Sequence, residues 1–140
     1  MIGDTDEAAY IISLLDTYWN TGVIAKPTIG KTTQYSTVDV ANSNWILAYR
    51  VSRTAAQAHS LYDYQKVRAE VALDIRTRTR ADMLSMLAEV RRILWAYRLS
   101  TEDPYDWINP IGVDYEDHTR RLHRVVYGVE LHGIAAITTS

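Results

Sequence analysis

The sequence predicts a single α+β domain in the order α-β-β-α-β-β, and three stretches predict it. Val67, Ala69, Val71, Leu73 and Ile75 alternate with Arg68, Glu70, Ala72, Asp74 and Arg76, the period of two expected of a strand with one buried face. The period then lengthens: Met83, Leu87, Val90, Leu94 and Tyr97 fall three and four apart, on one stripe of a helix. Near the C-terminus Val125, Tyr127, Val129 and Leu131 oppose Arg124, Gly128, Glu130 and His132, which predicts another strand. Strand and helix faces of this kind bury against each other. The expected architecture is therefore a mostly antiparallel sheet covered by helices on one face.

In chain order, the first element is a helix over Asp4–Asn20. Asp4 and Glu7 have capping-box spacing, and Ala8, Ile11, Leu15 and Tyr18 form a stripe broadened by Ile12, Leu14 and Trp19. Gly22 stands where a left-handed residue often closes a helix. Residues 23–44 carry Pro27, Gly30 and many hydroxyl side chains. They read as a long loop or arm with short extended pieces at Ala25–Ile29 and Ser36–Val40. Loops of this length are often functional, and an arm that orders against a neighbouring subunit fits the composition.

Asn44–Val51 reads as a strand with Trp45, Leu47, Tyr49 and Val51 on one face and Ile46 and Ala48 on the other. Ser52–Tyr64 fits either a loop or a helical turn. The central strand follows, and Thr79 is the expected N-cap of the second helix, Arg80 to about Arg98, with Asp82 near its positive end. Leu99–Asp106 reads as an acidic turn, Ile111–Tyr115 as a short strand, Glu116–Thr119 as a turn, Leu122–Ile134 as the last strand, and Ala135–Ser140 as a tail.

A chain of 140 residues, 47% hydrophobic and 23% charged, can build a core of its own. No run of eighteen apolar residues is present, so no membrane partner is expected, and the acidic start Met1–Glu7 is unlike a secretory signal. The absence of cysteine excludes disulfides and thiolate chemistry and fits a reducing compartment. Net charge is −2 but unevenly placed: ten basic and five acidic residues from Arg50 to Arg98, three basic and seven acidic from Leu99 to Ser140. A basic and an acidic flank suit head-to-tail stacking of copies.

Motifs for chemistry are weak. Gly30-Lys31-Thr32 resembles the end of a phosphate-binding loop, but Ala25 stands where the motif needs glycine and no helical pattern follows. Glu70 and Asp74 share a strand face, yet four residues of strand separate them by roughly 13 Å, too far to grip one metal. His59, His118, His123 and His132 lack recurrent zinc spacing, and no Gly-x-Ser-x-Gly elbow occurs. No catalytic residue, metal or cofactor is expected. Arginines carry more signal. Arg76, Arg78 and Arg80 alternate through the turn into the second helix, and Arg120, Arg121 and Arg124 precede the last strand. Either group suits a polyanion or an acidic patch on a partner. Ten tyrosines and four tryptophans with no phenylalanine form a set favoured at interfaces.

Three segments together resemble a family, the tail-terminator (tail-completion) neck proteins of long-tailed phages and tailed archaeal viruses. They are Val71–Arg78 running into Ala81–Val90, the Asp114–Tyr115 to His118 region, and Arg124–Leu131, roughly half the chain. The resemblance implies a virion protein, assembled in the host cytoplasm, with no enzymatic activity. Such a protein forms a ring, usually a hexamer, at the head–tail junction. The ring ends the tail tube and joins it to the head-side connector or stopper protein, while genomic DNA passes through the bore in non-specific proximity. The arginines at 76, 78, 80, 120, 121 and 124 are then candidates for a subunit interface or the bore. Other readings are a different neck component (head-closure or adaptor protein), a small DNA-binding protein, or a nuclease using Glu70 and Asp74.

Overall fold

The structure, a computed structural model, describes residues 6–34, 38–41, 43–56, 64–99, 101, 105–119 and 122–136. Helix α1, Glu7–Tyr18, starts one turn from the acidic N-terminus. Its N-cap is Asp6, whose side chain accepts from the Ala9 N–H at 3.1 Å. The expected Asp4–Glu7 capping box is thereby displaced: Glu7 is inside the helix and buried, and Asp4 lies outside the described residues. Gly22 does not supply a left-handed cap either. Trp19 ends the helix in extended geometry, and Asn20 Oδ1 accepts from the Gly22 N–H at 2.9 Å.

Residues 23–44 contribute a strand rather than only a loop. Strand β1, Thr28–Lys31, runs parallel to β2, Trp45–Ala56, with Thr28 opposite Trp45. The extended piece expected at Ala25–Ile29 thus lies partly in the sheet. Val40 sits in a turn, and residues 35–37 lie outside the described set. A short 3-10 turn, Thr32–Gln34, follows β1.

Strand β3, Tyr64–Thr77, pairs antiparallel with β2 and with β5, His123–Ala136. Helix α2, Arg80–Ala96, begins at the expected cap: the Asp82 N–H donates to Thr79 Oγ1 at 3.1 Å. Strand β4, Tyr105–His118, is much longer than the predicted Ile111–Tyr115. The sheet order is β1-β2-β3-β5-β4, so the expected four strands become five, with β1 the addition. Pro110 fits β4 because β4 is an edge strand, where a missing N–H can face outward.

One core unites Ile11, Leu15, Met83, Val90 and Leu94 of the helices with Ile46, Val71, Leu73, Ile75, Val125, Tyr127 and Leu131 of the strands. Register explains which face of β2 is inside. Ile46 and Ala48 lie opposite Ile75 and Leu73, and cross-strand partners share a face. A bulge between Arg50 and Ser52 then changes the phase of β2. Arg50 lies opposite Val71 and Arg53 opposite Ala69, both on the core side, although they are an odd three positions apart. Both reach Glu7, which is 1% exposed: Arg50 Nη1 at 3.5 Å and Arg53 Nε at 3.7 Å. A buried carboxylate is thus neutralised where α1 meets the sheet. At the other end of α1, Arg92 of α2 binds Glu89 and donates to the Tyr18 carbonyl at 2.8 Å, while Tyr18 stacks on Tyr97.

Candidate assembly surface

Alternation leaves a second set of side chains on the sheet face away from this core. Arg68, Glu70, Ala72, Asp74 and Arg76 of β3 lie beside Trp45, Leu47 and Tyr49 of β2 and beside Arg124, Val126, Glu130 and His132 of β5. Asp74 is 2% exposed and sits between Leu47 and Val126. An unpaired anion there is costly, and two arginines offset the cost. Arg76 donates from Nε at 3.3 Å and from Nη2 at 3.0 Å, and Arg124 from Nε at 3.0 Å. The Asp74 hydrogen bond raises the Arg124 pKa, and Tyr115 lies 5.6 Å from the Arg124 guanidinium.

A second polar group surrounds Glu130. It accepts from Asn109 Nδ2 at 2.9 Å, and Arg68 Nη1 lies 3.2 Å away. His132 stacks flat on Trp107, ring centres 3.9 Å apart and planes 5° apart. These contacts fix rotamers that water would otherwise leave mobile.

Strand β4 borders this face. Its pairing with β5 shifts register at Tyr105/Trp107, Pro110/Gly112 and Val113/Tyr115. The shifts set Trp107 opposite His132 and Tyr115 opposite Val126, on the open face, and Ile111 lies over Gly128. Trp107, Ile111 and Tyr115 are 40%, 51% and 48% exposed, a ridge of large apolar side chains along the sheet border. The outer backbone edge is not uniform. The Ile108 N–H donates to the Arg98 carbonyl at 2.9 Å, and Pro110 has no N–H. Past Gly112, at φ +119°, residues Val113–His118 are all exposed.

The candidate arginines separate into different roles. Arg76 and Arg124, from the two predicted clusters, are cross-strand partners joined through Asp74. Arg78 and Arg80 leave the sheet, are exposed, and make no ion pair among the described residues; Arg78 lines an open cleft with Lys26, Asn44 and Thr79. Arg120 and Arg121 lie outside the described residues. Sequence reasoning missed the Trp107–Ile111–Tyr115 ridge, because three irregularities hide its alternation. The skewed aromatic content was its only signal.

Gly30 and Lys31 lie in β1, no α-helix follows them directly, and Lys31 pairs with Asp6. Both arginines occupy Asp74, which leaves Glu70 without it as a metal-binding partner. His118 and His123 are cross-strand partners with Nδ1 atoms 2.8 Å apart, a pairing their sequence spacing did not reveal. Among the described residues no group of three His, Asp or Glu side chains could hold a metal ion, and no helix is long and apolar enough to cross a membrane. No protein-family model matches the chain, and no curated protein matches it.

Proposed function

We propose that this chain is a structural protein of the head–tail junction of a tailed virus, a tail terminator that closes into a ring. The observation that carries the reading is the open sheet face. Trp107, Ile111 and Tyr115 stand exposed beside side chains already held in the Asp74 and Glu130 networks. A surface ordered before contact loses little conformational entropy on docking, and aromatic anchors beside fixed charge suit a protein interface. In this reading α1 and α2 cover one face of the sheet and neighbours occupy the other. The resemblance of β3–α2, the Asp114–His118 region and β5 to tail terminators supplies the ring geometry. It also supplies the partners: a tail tube protein on one side and a connector or stopper protein on the other.

The nuclease reading has less support. A metal-binding carboxylate needs free lone pairs, and two guanidinium groups occupy those of Asp74. Light scattering of the purified chain, with electron microscopy of the same samples, tests the proposal. The expected result is a closed ring of one fixed copy number, six by the resemblance, alone or on the ends of tail tubes. A chain that stays monomeric at its highest soluble concentration and ignores tube ends overturns it.

A further inference from the structure

Edge strands with open backbone groups are natural pairing sites, and proteins manage them with prolines, bulges, covering loops or charge. In β4 the first half is managed by cover, through Arg98 and Pro110, and the second half by charge. Asp114, Glu116 and Asp117 are exposed there and make no ion pair among the described residues. Many other charges are matched within the chain: Asp6 by Lys31, Glu7 by Arg50 and Arg53, Asp16 by Lys26, Asp74 by two arginines, Glu89 by Arg92 and Glu130 by Arg68. Arg78 and Arg80, at the turn between β3 and α2, have no such partner among the described residues.

We infer that the Val113–His118 half of β4 docks a second copy of this chain, and that the segment it receives is the Arg78–Arg80 turn. The two surfaces carry opposite charge, and neither has internal ion pairs among the described residues. They are also different surfaces, as a head-to-tail contact requires. Val113 and Tyr115 supply apolar area between the acids, and both are exposed. The contact rests on the ring reading and names the residues through which the ring closes.

Charge exchange tests it. One variant carries Asp114→Lys, Glu116→Lys and Asp117→Lys, the other Arg78→Glu and Arg80→Glu, each first checked for wild-type circular dichroism. In each variant both surfaces bear one sign, so each is expected to run at the 16.0 kDa of a single chain. Mixed, they present complementary pairs again and are expected to regain the wild-type mass. If the lysine variant fails to fold, the neutral set Asp114→Asn, Glu116→Gln and Asp117→Asn replaces it, with an expected weakening of self-association of at least about tenfold, the equivalent of 1.4 kcal/mol. Variants that assemble as well as wild type overturn the contact and leave the ring reading standing, the acids then serving only to keep the edge soluble. Two monomeric variants that do not rescue each other also overturn it. A wild-type chain that is itself monomeric and ignores tube ends overturns contact and ring together.

Discussion

Replacing Asp74 with asparagine changes one charge and almost no volume, which isolates the electrostatics of the open face. In the native structure Asp74 accepts three charge-assisted hydrogen bonds, at 3.0, 3.0 and 3.3 Å, from Arg76 and Arg124. Removing one member of a buried ion pair typically costs about 3–5 kcal/mol. The cost here is smaller, because the arginine side chains are 27% and 36% exposed and regain water. Against that, Arg76 and Arg124 are directly opposite each other, so two like charges face across the strands once the anion is gone. The balance gives about 2–4 kcal/mol, or roughly 5–12 °C in Tm for a domain of this size. Arg124→Gln alone should cost less, about 1–2 kcal/mol, since Arg76 still neutralises Asp74. Urea denaturation followed by circular dichroism and tryptophan fluorescence measures each value, and the double variant gives the coupling. An Asp74→Asn protein within 0.5 kcal/mol of wild type, with an unchanged denaturant slope, would falsify this account.

Three further perturbations address separate parts of the fold. Asp6→Ala removes the α1 cap and should cost about 0.5–2 kcal/mol in the same denaturation assay. The Lys31 hydrogen bond holds the Asp6 carboxyl below its ordinary 3.8, so its stabilisation is complete above that value and is lost as pH falls through the folded-state pKa. The stability gap between wild type and Asp6→Asn should therefore close in acid, and a gap that widens there contradicts the assignment. Burial, with the nearby Glu7 charge, pushes the Tyr105 pKa well up, and its hydroxyl has no hydrogen-bond partner among the described residues. Tyr105→Phe should accordingly be neutral or stabilising by up to about 1 kcal/mol, and a clear drop in Tm would show that the hydroxyl has a partner. Gly112→Ala places a side chain at φ +119° in otherwise open space, so backbone strain alone should lower stability by about 1–2 kcal/mol.

The parts of the fold legible in the sequence are those where a regular period runs unbroken. β3 and α2 show it: ten alternating residues lead into a capped stripe, and Thr79 caps α2 as its hydroxyl and the downstream Asp82 foretell. β1 was legible only in part, as the extended piece at Ala25–Ile29, because a four-residue strand is too short to show a period, and its parallel pairing to β2 is a tertiary matter. β4 was hidden for the opposite reason. It is long, but its register shifts and Pro110 scatter its apolar residues out of phase. Of the candidate site, the arginines were visible but their division was not. Arg76 meets Arg124 only because β3 and β5 pair in one register, and no local pattern encodes that. Arg78 and Arg80 remain at the surface because the chain turns out of the sheet after Thr77.

The bulge at Val51 gives this chain an unusual kind of fixed point. Val51 itself is exposed, and its side chain has little to lose on replacement. Its place in the count is another matter. Three positions apart, Arg50 and Arg53 reach the same carboxylate only because Val51 is bulged out of the ladder. Pair Val51 into the ladder and everything from Ser52 onward turns over: Arg53 falls opposite Arg68 on the open face, and Glu7 keeps a single cation. Homologues of this protein, when aligned, should therefore vary freely in which amino acid stands at position 51, and any that lack the position should still carry both cations, two apart on one face of a regular strand.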